Sequence, residues 1–107
     1  MVLEIGKKFG PIDLAILEAG QYNPAWKYIH MLAEEVVPAA RDLGAKVLFP
    51  VHWGKFSLST HPWDEPAEVV SADAKKVGMP LLMPMIGEKV NIDNPQEFEN
   101  WWRKVDR

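Results

Sequence analysis

The sequence predicts an α/β protein, in which short buried strands alternate with helices. Two apolar runs, at residues 12–18 and 46–51, are short and nearly continuous, which is typical of strands covered on both faces. Each run is followed by a segment in which apolar residues have helical spacing, and each segment is closed by a glycine. This alternation is the pattern of a sheet layered against helices. We therefore expect residues 1–107 to form one α/β domain or part of one.

The first half of the chain starts with a strand over residues 12–18, directly after the Gly10-Pro11 turn. A loop rich in aromatic residues follows over residues 20–29. A helix is then predicted over residues 32–43, because acidic side chains stand near its N-terminus and a glycine stands just past its end. Pro38 lies inside this helix and removes one backbone donor, so we expect a kink or a later start.

The second half begins with a strand over residues 46–51. A helix is predicted over residues 65–77, with a proline in its first turn and a glycine past its end. Residues 81–86 are apolar enough for a third strand, although the prolines in and beside this run favour an edge or a broken strand. A short last helix is predicted to start at Asn94-Pro95, because the aromatic side chains that follow have helical spacing.

The composition excludes several classes of function. The net charge of −3 gives no support to nucleic-acid binding or to a polybasic contact with membranes. The absence of cysteine excludes disulfides and thiolate metal sites, so any metal must be held by His, Asp or Glu side chains. No signal peptide opens the chain, and no run of about 18 apolar residues could cross a membrane. We therefore expect a cytoplasmic protein.

His52 is the most informative residue, because it stands where the second apolar strand stops. Strand ends in α/β proteins are where reactive groups tend to gather, and an imidazole can bind a metal or carry a proton near neutral pH. The residues alone leave a second interpretation open, in which the ring is merely packed and hydrogen-bonded. For His30 the alternative to a functional role is a residue at the N-terminal end of a helix that satisfies a backbone group. For His61 we favour a structural role, with Asp64 or Glu65 capping the following helix.

The potential ligands are too few for a complete metal site. A catalytic zinc takes about three protein ligands, and no H-x-H or H-E-x-x-H pair supplies two of them from one segment. Trp26, Trp53 and Trp63 also lie in or beside predicted loops, where they need something to pack against. We therefore expect this chain to carry part of a site.

Five short blocks occur in an order and at spacings that match one known family. The blocks are Asp13-Leu14-Ala15-Ile16-Leu17, Gly20-Gln21-Tyr22-Asn23-Pro24, His30-Met31, Asp42-Leu43-Gly44-Ala45-Lys46 and Pro50-Val51-His52-Trp53-Gly54-Lys55-Phe56. Together they resemble the C-terminal part of a metallo-β-lactamase-fold hydrolase. The branch that they resemble contains N-acyl-phosphatidylethanolamine phospholipase D and the bacterial RomA-like proteins. The resemblance covers residues 9–87, which is most of the chain.

The resemblance implies an αββα sandwich, two sheets between layers of helices, with metal ions at the sheet edges. Zinc or another divalent metal is the implied cofactor. In that family most ligands come from an H-x-H-x-D-H motif in the N-terminal half, and the last ligand is the histidine that matches His52. The histidine that matches His30 lies near the metals and is implicated in contact with the substrate or transition state. Tyr22, Asn23 and Trp26 match a loop that borders the mouth of the active site.

This chain departs from the family pattern, because the H-x-H-x-D-H motif, the middle histidine and the bridging aspartate are absent. We therefore expect residues 1–107 to be a single partial domain, the C-terminal part of a hydrolase, inactive alone. The implied substrate is a small or lipid-like molecule with a phosphodiester bond, or a lactone, ester or amide. Two alternatives stay open: a non-enzymatic domain that self-associates, and one chain of a two-chain hydrolase. In isolation we expect a homo-oligomer that covers the surface of its missing half.

Overall fold

The computed structural model describes residues 1–26, 28–54, 59–93 and 97–105. The elements within these ranges are α1 (Val2–Phe9), β1 (Ala15–Glu18), a 3-10 turn (Pro24–Trp26), α2 (Ala33–Asp42), β2 (Leu48–Val51), α3 (Glu65–Val77) and a second 3-10 turn (Trp101–Lys104). Strands and helices alternate through the centre of the chain, so the predicted α/β class is confirmed. None of the described helices combines the length and the apolar character that a bilayer span requires.

The sheet of the described residues consists of two parallel strands. β1 pairs with β2 from Ala15↔Leu48 to Glu18↔Val51, and α2 forms the connection between them. Because the strands are parallel, their carboxyl ends lie at the same edge of the sheet. The side chains at the end of β1 and just after β2 are therefore brought together.

The third strand that was predicted over residues 81–86, as an edge or a broken strand, is observed as a single bridge. Leu81 alone among these residues pairs with the sheet, through an isolated bridge to Leu48, and the next amide donates to the Leu48 carbonyl. Pro80 and Pro84 surround this contact, and neither has an N–H to give to a ladder. The pairing stops after one step for this reason.

The two longer helices lie close to their predicted bounds. α2 begins at Ala33 and contains Pro38, which is exposed, so the predicted later start is not observed. α3 covers the predicted residues, and Gly78 ends it with a φ of 71°, a left-handed conformation that glycine adopts without steric penalty. Asp64 occupies the N-cap position of α3 but makes no side-chain capping hydrogen bond, so the cap predicted there is wrong.

The main core lies where α2 and α3 pack against the sheet. Small and β-branched side chains with a single leucine form it: Ala15, Ala19, Val36, Val37, Ala40, Leu48, Val70 and Ala74. Burial of these apolar groups supplies the main free energy that holds the helices on the sheet. The sheet edge that carries the candidate site is thereby fixed to a packed scaffold.

A second apolar cluster forms around Trp102, where Ala67 and Met83 are also buried and Trp53, Trp63, Leu81 and Trp101 pack against them. Trp102 is 2% exposed, and its Nε1 donates to Glu68 Oε1 at 2.9 Å, which pairs the indole N–H where it is buried. Trp101 is half-buried and stacks on Trp53 with a centroid distance of 5.5 Å. Trp101 and Trp102 lie in a 3-10 turn where the last helix was predicted. The predicted start of that helix, Asn94-Pro95, lies outside the described residues.

Candidate metal centre

The parallel pairing places Glu18 and His52 side by side at the carboxyl edge of the sheet. Glu18 is the last residue of β1, and His52 follows the last residue of β2. Glu18 Oε2 lies 3.4 Å from His52 Nδ1. The same oxygen lies 2.8 Å from Nδ1 of His30. One carboxylate therefore contacts both of the histidines that the sequence singles out.

His30 reaches this edge through the loop that precedes α2. This loop contains the 3-10 turn Pro24–Trp26, and the His30 amide donates to the carbonyl of Trp26 at 2.9 Å. The Met31 amide then donates to Glu18 Oε1 at 3.1 Å and ties the loop to the end of β1. The His30 and His52 rings come to a centroid distance of 5.9 Å.

The surroundings of Glu18 stabilise its ionised form. Partial burial raises the pKa of this carboxyl, but hydrogen bonds with the His30 ring and the Met31 amide outweigh burial and lower the pKa below its ordinary value. An ionised carboxylate only accepts hydrogen bonds, so a neutral imidazole beside it turns its N–H toward the carboxylate.

The backbone at His52 is strained. Among the described residues other than glycine, His52 is the one with a positive φ, at 66°. This conformation costs an L-residue roughly 1–2 kcal/mol and persists only where the surroundings enforce it. Gly20 lies directly against this point, because a Cβ atom on it would stand 1.7 Å from the His52 carbonyl oxygen. Close packing of the two loops thus holds His52 in place.

The donor set at this edge fits a divalent cation. Glu18, His30 and His52 each offer one ligand atom, and these atoms lie within 4.8 Å of one another. In the described part of the chain this is the one group of three or more such side chains. Imidazole nitrogens and a carboxylate oxygen are the donors that zinc and neighbouring first-row metals accept. The predicted histidines therefore come together, and they do so with a third potential donor.

Two pockets meet at His52. The first has a volume of about 320 Å³ and is lined by Gln21, Trp26, Ile29, His30 and His52. The second has a volume of about 550 Å³ and is lined mainly by apolar side chains, among them Phe49, Trp53, Trp63, Met83 and Trp101. Both volumes are of the size that holds a small molecule or part of one.

Tyr22, Asn23 and Trp26 were predicted to border the site, and of these Trp26 lies beside His30. Its ring meets the His30 ring edge to face, with a centroid distance of 6.3 Å, and it forms part of the wall of the first pocket. Asn23 lies further out, where its Nδ2 donates to Thr60 Oγ1 at 3.1 Å. Its Oδ1 accepts from the Ala25 amide at 2.9 Å and shapes the turn that leads to Trp26.

Tyr22 contacts the first residue of α3 and the segment before it rather than the histidine cluster. Its ring stacks on His61 with a centroid distance of 3.9 Å, and its hydroxyl donates to the carboxylate of Glu65. The Ser59 hydroxyl donates to the Tyr22 carbonyl. These contacts agree with a structural role for His61. The carboxylate of Glu65, the other residue predicted to cap α3, accepts a hydrogen bond from Tyr22.

We expect Tyr22 to ionise only well above the ordinary range of a tyrosine. Burial raises the pKa of Tyr22, and the hydrogen bond to the Glu65 carboxylate raises it further. Because the pKa is raised on folding, the protonated phenol contributes stability below about pH 10, and this contribution is lost as the pH rises further. In a Tyr28→Phe variant, Tyr22 is the remaining tyrosine. Its phenolate absorbance should stay low as the pH is raised through about 10, as long as the protein is folded. Ordinary titration near pH ~10 in the folded state would contradict the contact.

Glu18 is the site residue that sequence reasoning missed. The sequence assigns it only to the end of the first strand. The available signal was its position, because two consecutive strands joined by a helix are parallel and present their carboxyl ends at one edge. A charged residue at the end of one strand and His52 after the other were therefore candidates for contact.

Comparisons with known proteins show what this chain is similar to. A family model described as the beta-lactamase superfamily domain matches residues 2–53. An uncharacterized protein of Mycobacterium tuberculosis is 43% identical over 103 residues, which are 94% of this chain and 28% of that protein. The outer membrane protein RomA of Klebsiella pneumoniae is 55% identical over 51 residues, 48% of this chain and 39% of that protein. The mitochondrial N-acyl-phosphatidylethanolamine-hydrolyzing phospholipase D of Saccharomyces cerevisiae is 39% identical over 71 residues, 64% of this chain and 15% of that protein.

The matched region contains the whole candidate centre. Glu18, His30 and His52 all lie within the part of the chain that the family model covers. This chain spans about 28% of the length of the mycobacterial relatives and matches the C-terminal part of its relatives. The resemblance predicted from the five sequence blocks is confirmed, and two of the relatives are named for the hydrolysis of N-acyl-phosphatidylethanolamine.

Proposed function

Because this chain is a relative of the β-lactamase-superfamily hydrolases, we propose that it acts as the C-terminal part of a metal-dependent hydrolase, inactive alone. The observation that carries the proposal is the cluster of Glu18, His30 and His52 at the sheet edge. We propose zinc as the metal, with His52 as one of its ligands. A bound divalent metal supplies Lewis-acid activation of the scissile bond and of the attacking water.

His30 has the role of a hydrogen-bond donor to the substrate in this proposal. Its Nδ1 is held by Glu18 at 2.8 Å, and the Trp26 ring stands against its side. With Nδ1–H directed at Glu18, the doubly protonated form of this ring carries an Nε2–H that can donate to negative charge that develops on the substrate. Tyr22 and Asn23 shape the loop that carries Trp26 and His30, and we propose that this loop borders the substrate.

The substrate class that we propose is a small or lipid-like phosphodiester, with a lactone, ester or amide as the second choice. The pocket of about 550 Å³ beside His52 supports an apolar substrate group, because Trp53, Trp63 and Met83 form part of its wall. The phosphodiester choice is supported by the relatives that are named for hydrolysis of N-acyl-phosphatidylethanolamine.

A chimaera tests the proposal. This chain replaces the matching segment of the mycobacterial relative, which is 43% identical to it, and hydrolysis of bis(p-nitrophenyl) phosphate and of a simple lactone is measured with and without zinc. We expect zinc-dependent turnover, and we expect His30→Ala to lower kcat by about 10²-fold, as for the loss of one donor to developing charge. Glu99→Gln, which changes an exposed carboxylate paired with Lys104, should leave the rate unchanged. A folded, zinc-loaded chimaera that hydrolyses neither substrate would refute the proposal.

A self-associating domain is the second candidate, and α1 is the observation that favours it. No residue of this helix is buried, and Leu3, Ile5 and Phe9 are exposed on it. Ile16 on β1 is exposed as well. Apolar groups of this kind are covered either by the rest of a longer protein or by a second copy. Light scattering with metal analysis on the same sample distinguishes the two, since a stable dimer without zinc affinity supports the self-associating domain. A cytoplasmic location stays a prediction.

A further inference from the structure

We propose that Glu18 is a positioning residue, which fixes the rings of His30 and His52 so that Nε2 of each is the nitrogen left free for metal or substrate. The proposal rests on the roles given above to the two histidines. It adds a residue to the site and states which ring nitrogen does the work.

The carboxylate contacts the same nitrogen, Nδ1, of both rings. Glu18 Oε2 is 2.8 Å from Nδ1 of His30 and 3.4 Å from Nδ1 of His52. When one ring nitrogen donates to a carboxylate, the proton is fixed there and the other nitrogen keeps its lone pair. Nδ1 and Nε2 lie at opposite sides of the ring, so Nε2 of each histidine faces away from Glu18.

The distance between Glu18 and His30 favours a hydrogen bond over shared coordination, whereas the 3.4 Å between Glu18 Oε2 and His52 Nδ1 fits either arrangement. Ligand atoms at about 2.0–2.2 Å from one tetrahedral zinc stand roughly 3.4 Å apart. The 2.8 Å between Glu18 Oε2 and His30 Nδ1 is shorter than that and is the length of a charge-assisted hydrogen bond. The first pocket is lined by both histidines, whereas Glu18 does not line it. The carboxylate thus lies behind the rings.

Glu18 is itself held in place, as a positioning residue must be. Its backbone belongs to β1, which is paired with β2, and its other carboxylate oxygen, Oε1, accepts from the Met31 amide at 3.1 Å. One side chain therefore joins the ends of both strands to the loop that carries His30. Outer partners of this kind fix the tautomer and orientation of a metal-binding histidine.

Nitrogen NMR of the metal-free chain tests the proposal directly. The protein is labelled with ¹⁵N-histidine and studied at a pH where the imidazoles are neutral, so that long-range ¹H–¹⁵N spectra show which ring nitrogen carries the proton. We expect the Nδ1–H form for His30 and His52 in the wild type, and a shift to the Nε2–H form in Glu18→Ala. Glu18→Gln keeps a carbonyl acceptor and should retain Nδ1–H at His30, while Glu99→Gln should change nothing. An Nε2–H wild type, or Glu18→Ala spectra like the wild type, would overturn the proposal.

Addition of zinc to the same labelled samples separates positioning from direct coordination. We expect Nδ1–H of His52 to persist in the zinc-loaded protein, and Glu18→Ala to weaken zinc binding by about 10–100-fold, as the loss of an outer partner does. Glu18→Gln should recover most of that loss. Disappearance of Nδ1–H on zinc addition, with equal loss of binding in both variants, would make Glu18 a ligand and refute the proposal. These readouts are independent of turnover, so an inactive chimaera would remove the proposed function and leave this inference standing.

Discussion

Replacement of His52 by alanine is expected to weaken zinc binding by this chain at least about 100-fold, which exceeds the usual effect of losing an outer partner. The variant removes the imidazole that we assign to zinc and leaves His30 as the one imidazole of the cluster. We expect little change in the free energy of unfolding, because the His52 side chain is about half exposed, at 49%. Calorimetric titration with zinc and urea denaturation measure the two effects.

Two further variants make the His52 prediction sharp. His52→Asn lacks the imidazole but tolerates the left-handed backbone at this position, so it separates loss of the ligand from a change in the loop. His61→Ala removes a histidine that stacks on Tyr22 outside the cluster, and it should bind zinc like the wild type. Zinc affinity that survives in both His52 variants, or a wild-type chain without zinc affinity, would contradict the assignment.

Replacement of Gly20 by alanine is expected to disrupt the centre without touching any of its side chains. The added Cβ would stand 1.7 Å from the His52 carbonyl oxygen and 2.5 Å from Trp53 Cα, both backbone atoms that cannot turn aside. The two loops must separate, which moves His52 away from Glu18. We expect a loss of about 1–3 kcal/mol in the free energy of unfolding, as for overpacking, and a loss of zinc affinity of at least about tenfold, as for a lost outer partner.

Gly78→Ala is the matched control for Gly20. Gly78 has a positive φ of 71°, but an added Cβ meets no atom within 4 Å, so the substitution strains the backbone without a steric clash. We expect it to lower the free energy of unfolding by about 1–2 kcal/mol, the ordinary penalty of a left-handed L-residue, and to leave zinc binding unchanged. Equal zinc affinity in Gly20→Ala and the wild type would show that the close approach does not hold His52.

The elements that the sequence predicted correctly are those with local signals. α3 was predicted at its observed bounds because a proline in the first turn and a glycine at the C-cap mark a helix regardless of its partners. Residues 81–86 form a single bridge rather than a continuous strand, because Pro80 and Pro84 lack the N–H groups that a ladder needs. The helix predicted to start at Asn94-Pro95 is not observed at Trp101 and Trp102, which lie in a 3-10 turn. Their spacing serves the packing of a tryptophan cluster and not the face of an α-helix.

For the candidate site, the sequence by itself determined the α/β class, His52 at a strand end and the family resemblance, since each of these depends on residue type and short spacing. Only the tertiary structure decided that Glu18 joins His30 and His52, and that Tyr22 turns to Glu65 instead. The physical reason is distance along the chain. Glu18 and His52 meet because two strands pair in one parallel register, which α2 and its packing enforce. No local pattern around either residue carries that information.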